Sequence, residues 1–439
     1  MRISTLAGLC TLALSLGAGS AKANDLMDVF EMARENDPTI FASEYQRRAS
    51  EAAVDVAKSA RMPTLGATVT GSDTTIHRSN LSEEELTSAV QATLPLYDRS
   101  NNITVRRARV ALNKADADHA NMQQDLVSRT AEAYFGVLRA QDEVAFAEAE
   151  REAIFRQLDQ AERRYDVGLV AITDVKEAQA SYDSAVANVI ASKNQNRAAE
   201  EILRVMTNSY VTDLDVLKED VALLPPEPND VELWVTTAKN QSPTVIAARE
   251  DLANAKLGYK LAGAARYPSL DLTGNYQDKD ISGANAYSSD SESHSINLQL
   301  TLPIYTGGAV ASNKRQASAL AQAVEKQMVG IERNVERTVR TAFATVEARI
   351  SQVNALKRAL ESNEVRLEAT EAGYDAGTRT AVDVLNAIRG TSSAAAQYAG
   401  ARYDYILAML DLQEAVGLLG EPDLALFNEW LEPAKVAEK

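Results

Sequence analysis

Apolar and polar positions alternate along this chain with two different periods, and proline marks the places where the period changes. Leu65, Ala67 and Val69 alternate with Thr64, Thr68 and Thr70, and Val90, Ala92 and Leu94 with Gln91 and Thr93. Further on, Leu270, Leu272 and Tyr276 alternate with Asp271, Thr273 and Asn275. Ile296, Leu298, Leu300, Leu302 and Ile304 alternate with Asn297, Gln299 and Thr301. A period of two predicts strands at 64–77, 86–96, 269–278 and 294–304. After Tyr97 and Tyr305 the step changes to three and four, as in Ile154, Leu158, Ala161 and Tyr165, or Val335, Val339, Ala342, Val346 and Ile350. That spacing predicts helices packed like coiled coils. No proline interrupts 98–224 or 306–421, so two long helical hairpins are expected, at 98–209 and 308–419. A first helix of about 70 residues would be a rod of roughly 100 Å.

The landmarks recur in order. Asp37-Pro38-Thr39 returns as Ser242-Pro243-Thr244, and Arg61-Met62-Pro63-Thr64-Leu65 as Arg266-Tyr267-Pro268-Ser269-Leu270. Leu94-Pro95-Leu96-Tyr97 returns as Leu302-Pro303-Ile304-Tyr305, and Tyr165-Asp166-Val167-Gly168 as Tyr374-Asp375-Ala376-Gly377. Two tandem repeats follow, 24–209 and 231–420, with a linker at 210–230 and a tail at 421–439. Asp37 and Ser242 are helix caps followed by proline at the first helical position, and those helices must stop before Pro63 and Pro268. Gly168 and Gly377 are expected to end the rods, with return helices starting near Thr173 and Thr380. Asp174-x-x-Glu177 and Thr380-x-x-Asp383 both have the spacing of capping arrangements.

The first 23 residues stand apart: Arg2, the apolar stretch Leu6–Leu16 and Ala21-Lys22-Ala23 form an export signal cleaved after Ala23. The sole cysteine, Cys10, leaves with it, so the mature chain has no disulfide, thiolate metal site or cysteine nucleophile. A lipid anchor at Cys10 is disfavoured because Leu9 stands where a small residue belongs. Removing Arg2 and Lys22 leaves 43 basic against 62 acidic side chains, a charge of −19, which excludes a nucleic-acid binder. A mean hydropathy of −0.24 excludes a multi-span helical membrane protein.

Strand composition carries the next step. The helices spend their apolar stripes on one another, so the strands lack a helical layer to bury their apolar face. The alternative is a barrel with its apolar face toward lipid and its polar face toward water. Four strands cannot close one, since about eight is the minimum. Copies of the chain must therefore associate, and a homotrimer gives twelve strands continued by a helical tube. Tyr97 and Tyr305 suit an aromatic girdle or a core role alike. The polar stretches Ser72–Glu85 and Asp278–His294 become loops beyond the membrane, or plain solvated turns.

Catalytic signatures are missing. His77, His119 and His294 have no partner at metal-ligand spacing, no glycine-rich phosphate loop follows a strand, and the carboxylates sit on solvated helix faces. No cofactor or metal is expected. Three classes remain open: a trimeric export channel, a soluble periplasmic coiled-coil adaptor, and a periplasmic enzyme on a helical scaffold. The adaptor leaves the lipid-suited strands unexplained.

This order of elements, with Gly168-Leu169-Val170-Ala171-Ile172-Thr173-Asp174-Val175 and Gly377-Thr378-Arg379-Thr380-Ala381-Val382-Asp383-Val384-Leu385, closely resembles the TolC family of outer-membrane efflux channels. The resemblance spans Leu26 to Gly420. It implies an α+β membrane protein: a homotrimeric 12-stranded transmembrane β-barrel in the outer membrane, continued by a long periplasmic α-helical barrel. It also implies an equatorial belt from 24–37, 210–242 and the tail. The resemblance further implies export of drugs, small molecules or secreted proteins, as in type I secretion. The periplasmic tip would be closed at rest and opened when a periplasmic adaptor docks, with an inner-membrane pump of resistance-nodulation-division, ABC or major-facilitator type beyond. By the same likeness Thr173 and Asp174 face Tyr374 and Arg379 across a gate latch. Asp383 takes the first acidic position of the pore constriction, and Asn386 replaces the second, which halves the expected ring charge. The adaptor-contact turns are Val167-Gly168-Leu169 and Ala376-Gly377-Thr378. Read without the resemblance, Asp174 and Asp383 are first-turn carboxylates that complement a helix dipole, Arg379 is a solvated charge and Tyr374 a seam residue.

Overall fold

The computed structural model describes residues 24–76, 81–211, 213–219, 221–282 and 289–433. Residues 1–23, the expected export signal, therefore lie outside the described residues, as do His77 and the end of the tail. In chain order come α1 (Leu26–Asn36), α2 (Pro38–Ser59), β1 (Thr64–Ile76), β2 (Leu81–Tyr97), α3 (Arg99–Asp166) and α4 (Ile172–Thr207). Next are β3 (Val216–Leu217), α5 (Val231–Gln241), α6 (Pro243–Ala262), β4 (Ser269–Ser282) and β5 (Ser289–Thr301). The chain finishes with α7 (Ala309–Asp375), α8 (Ala381–Val416), α9 (Glu421–Asn428) and β6 (Leu431–Glu432).

Local chemistry explains the joints. Asp37 ends α1 and caps α2, accepting from the Thr39 N–H at 2.6 Å, with Pro38 at the first helical position. Its buried carboxylate also accepts from Arg129 Nη1 at 2.8 Å. Burial by itself would raise the acid's pKa, but the bonds from Thr39 and Arg129 and the guanidinium charge outweigh it and hold Asp37 below the usual carboxylate range. At the far ends of α3 and α7, Gly168 and Gly377 adopt φ of +75° and +74°. In each, two backbone N–H groups fold back onto the last turn: Gly168 to Tyr165 O and Leu169 to Arg164 O, Gly377 to Tyr374 O and Thr378 to Gly373 O. This pair of bonds needs a left-handed residue, which glycine supplies without a Cβ clash.

Four strands form one antiparallel sheet in the order β1-β2-β4-β5. The register places Leu65 opposite Ala92, Leu94 opposite Leu272, Tyr97 opposite Leu270, and Leu270 opposite Leu300, so the apolar side chains share one face. Thr64, Thr93, Thr273 and Asn297 share the other. Among the described residues no helix covers the apolar face: Leu65 is 76% exposed and Ile296 83%. The ladders run past the stretches where side chains alternate cleanly. β2 begins at Leu81 and not at 86, β4 continues to Ser282 and not 278, and β5 covers 289–301 in place of 294–304. Backbone pairing needs no apolar side chain, and polar cross-strand contacts support it: Lys279 Nζ lies 3.0 Å from Glu85, and the Tyr276 hydroxyl donates to Glu292 at 2.8 Å. Most of the two segments expected as loops is therefore hairpin strand, and 77–80 and 283–288 lie outside the described residues. β5 stops before Pro303, which has no N–H to continue the ladder.

The main core lies at mid-height on the rods. There Leu126, Tyr134, Phe135 and Leu138 of α3 pack on Tyr405, Ile406, Leu410 and Leu412 of α8, with α1, α5 and α9 wrapped outside. The start of the described chain, the linker and the tail meet in this layer. β3 pairs with β6, Asn24 bridges Leu214, and Trp430 stacks on Tyr405 with ring centroids 6.3 Å apart. Along the rods α2, α3, α6 and α7 pack in that order nearer the sheet. Toward the tips the order becomes α4, α3, α8 and α7.

Candidate functional site: the helical tips

The α3–α4 and α7–α8 turns end the molecule opposite the sheet. Val167 and Leu169 are 69% and 74% exposed, and Ala376, Gly377 and Thr378 are exposed beside them. Just behind, Tyr374 is buried among Ile154, Val384, Leu385 and Ile388, while Leu158 and Ala161 pack on Val175 and Ala178. The tips are thus fixed apolar scaffolds carrying exposed turns.

The α8 start is built on a reciprocal cap. The Asp383 N–H donates to Thr380 Oγ1 at 3.2 Å, and the Thr380 N–H donates to Asp383 Oδ2 at 2.9 Å. The α4 start differs from the spacing-based expectation. Its cap is Ala171, which has no side chain to offer, because the helix already begins at Ile172. Asp174 then falls in the first turn, where its charge complements the helix dipole. Asp383 is held below the usual carboxylate range by the backbone and hydroxyl bonds of Thr380 and by the nearby Arg379 charge. Asn386 lies one turn further on, exposed.

Within one chain the two hairpins are joined by residues of which only Tyr374 stands out in the sequence. Arg164 Nη2 of α3 donates to Asp375 Oδ1 at 2.9 Å, and Gln160 Nε2 donates to the same oxygen at 3.3 Å. The Arg164 guanidinium also lies 4.4 Å from the centroid of the Tyr374 ring. Thr173, Asp174 and Arg379 form no side-chain hydrogen bond among the described residues. Arg379 instead folds back over Gly373, where a Cβ would come within 2.8 Å of its Cγ. A signal for Arg164 did exist. The repeats match at Tyr165 and Tyr374, yet Arg163-Arg164 precedes the first and Ala372-Gly373 the second. Of this basic pair Arg163 pairs with Asp159 on its own helix and Arg164 faces Asp375 in the other tip, a complementary asymmetry between the repeats.

Among the described residues no group of three or more His, Cys, Asp or Glu side chains could hold a metal ion. His119 hydrogen-bonds Ser43 at 3.0 Å and Gln123 at 3.3 Å, and so braces α2 against α3. No described helix is long and apolar enough to cross a membrane.

Comparison with known proteins places this geometry. The family model described as outer membrane efflux protein matches residues 29–209 and 234–418, one stretch per repeat. Outer membrane protein TolC of Vibrio cholerae is 35% identical over 96% of this chain and 97% of its own length. TolC of Escherichia coli K12 is 34% identical over 96% and 88%. The crystal structure of the Campylobacter jejuni CmeC outer membrane channel superposes with a TM-score of 0.77 at 18% identity, covering 93% of this chain and 89% of that one. Tandem strand pairs and rods, exposed tips and a match through both repeats lead to one assignment: this chain is a member of the outer membrane efflux protein family, an outer-membrane channel of efflux and secretion.

Proposed function

We propose that three copies close their sheets into a 12-stranded barrel in the outer membrane and their rods into a periplasmic tube, making a passive conduit gated at the helical tips. The observation that carries this reading is the uncovered sheet. Its apolar face has no layer over it, and its outer strands β1 and β5 leave backbone edges open. Water does not tolerate the bare apolar face and lipid does not tolerate the open backbone edges, and closure in a bilayer resolves both. The rods are open-sided in the same way. α4 exposes Ile190, Ile202 and Val205, and α7 exposes Leu320 and Val365, apolar surface suited to a neighbouring copy. A soluble adaptor gives the sheet no partner.

In this reading the mature chain starts at Asn24, and segments from 24–37, 210–242 and the tail form the belt. Each tip is locked in two ways. Arg164 and Gln160 clasp Tyr374 and Asp375 inside the chain, and Thr173 and Asp174 meet Arg379 across the subunit boundary. Three Asp383 carboxylates form the constriction, with Asn386 leaving a second ring uncharged. The exposed turns Val167-Gly168-Leu169 and Ala376-Gly377-Thr378 receive a periplasmic adaptor. Transport energy comes from an inner-membrane pump of resistance-nodulation-division, ABC or major-facilitator type, and the chain itself performs no chemistry. Detergent-extracted protein should run as a cross-linkable trimer and give a small, cation-selective conductance in a planar bilayer. A protein that stays soluble without detergent and conducts nothing would end this reading.

A further inference from the structure

In an acidic chain, one zone runs against the overall charge. Four chain crossings connect the sheet to the helices, and each carries a cation: Arg61 before β1, Arg99 after β2, Arg266 before β4, and Lys314 in the first turns of α7. Two of these converge on one ring, and a third lies over its neighbour. The Arg99 guanidinium lies 4.0 Å from the Tyr267 centroid and that of Arg266 lies 5.4 Å from it. Lys314 reaches the neighbouring Tyr259 ring at 4.9 Å and passes Gly263 at the end of α6. Arg61 is tied in next door, where Asn101 Nδ2 donates to the Ala60 carbonyl at 2.9 Å. The Tyr267 hydroxyl is pushed below its ordinary pKa by Arg266 first, then by the charges of Arg99 and Lys314.

None of the four cations forms a salt bridge among the described residues, although other basic groups on these helices do. Lys58 pairs with Asp55 and Lys114 with Asp251, both at 2.8 Å. The adjacent carboxylate, Asp98, is occupied in capping α3 through the Ser100 N–H. Arg99 moreover sits at the first position of a 68-residue helix, where the backbone dipole is positive and disfavours a cation. Like charges gathered on a positive helix end, with no counter-ion, leave an anion's place open.

We propose that this cluster binds the phosphate of anionic phospholipid headgroups in the periplasmic leaflet of the outer membrane. The commitment to lipid follows from position. Tyr97, Leu270 and Leu300, paired in register, are the last rung of the apolar face, and Arg99 follows Tyr97 by two residues. Two residues of extended chain span roughly 7 Å, the step from acyl chains to headgroups. The tyrosines are amphipathic rings suited to that depth, and the long cationic side chains reach along it. The opposite end of the sheet has the reverse sign. Glu84, Glu85, Asp278, Asp280, Asp290 and Glu292 are answered there by Lys279 alone among the described residues. The site rests on the barrel reading above and adds a ligand to it.

The test uses the full-length trimer and separates the two claims. Conductance and trimer cross-linking report on the channel. Native mass spectrometry after exchange into mixed phosphatidylglycerol and phosphatidylcholine reports on the site. The parent protein should retain phosphatidylglycerol preferentially. Combining Arg99→Gln with Arg266→Gln should cut that preference roughly thirty-fold, the worth of two cations near a membrane surface at ~1 kcal/mol each. The variant should still form conducting trimers, and Arg99→Lys with Arg266→Lys should keep most of the preference. Equal retention of both lipids by the parent, or no difference between parent and glutamine variant, overturns the proposal. Equal competition by millimolar inorganic phosphate, or an altered ion selectivity in the variant, would show a free-anion site or a lumenal one and overturn it as well.

Discussion

Arg164→Gln is the sharpest probe of the gate. In each chain this guanidinium makes two contacts between the hairpins, the ion pair with Asp375 and the approach to the Tyr374 face. The Asp375 side chain is 67% exposed and that of Arg164 27%, so the ion pair is screened and contributes about 0.5 kcal/mol. The ring contact adds about 0.5–1 kcal/mol. Glutamine removes both and leaves Gln160 as the remaining donor to Asp375. If three tips open together, the loss is about 3–4.5 kcal/mol per trimer, which raises the open-to-closed ratio by roughly two to three orders of magnitude. Single-channel recording in a planar bilayer reads this directly as longer open dwells and larger conductance. Arg164→Lys keeps the charge and loses the planar stacking, so its effect should fall between parent and glutamine. An Arg164→Gln trimer of normal assembly with the parent's dwell times and conductance would refute the clasp.

Two further outcomes follow from the site and the fold. Asp383→Ala should move the reversal potential in a salt gradient toward zero, while Asn386→Asp should strengthen cation selectivity and block by multivalent cations. An unchanged reversal potential in both would remove these positions from the constriction. Asp37→Asn should lower thermal stability at neutral pH by about 2 kcal/mol, because Arg129 loses the buried one of its two charged acceptors and keeps only Asp125. The folded pKa of Asp37 is depressed, so its stabilisation is present above the unfolded value near 4 and fades as pH falls through the lower folded value. Melting followed by circular dichroism should therefore show parent and variant converging in strong acid, and a gap that stays constant with pH would contradict this account.

Much of the tip was legible before any coordinates. Glycine at 168 and 377, threonine at 380 and aspartate at 383 act through bonds spanning five residues or fewer, so their spacing is sufficient. Asp174 shows the limit of that logic, since α4 is capped three residues earlier, at Ala171, which lacks the hydroxyl that Thr380 supplies at the matching position. The clasp of Gln160 and Arg164 on Asp375 links residues more than 200 apart, and it depends on how two rods are rotated against each other. A heptad stripe defines which face is apolar but leaves the pairing of its polar flanks undetermined. The strands run past their clean alternation for a related reason: side-chain alternation reports burial, whereas the ladder is held by backbone bonds that continue into polar sequence.

By itself the sequence determined two strand pairs and two long helical hairpins in tandem, the glycine-closed turns, and helices whose apolar stripes face one another and not the strands. These follow from periods of two and about 3.6, from proline's missing N–H and from glycine's freedom at positive φ. Only the tertiary structure decided that β2 lies beside β4, that β3 pairs with β6 across the belt, and that Arg99, Arg266 and Lys314 surround two tyrosines at the base of the sheet. Those arrangements join distant segments through the rotation and offset of packed rods. Such variables are set by the summed packing of many side chains, and no local run of residues encodes them.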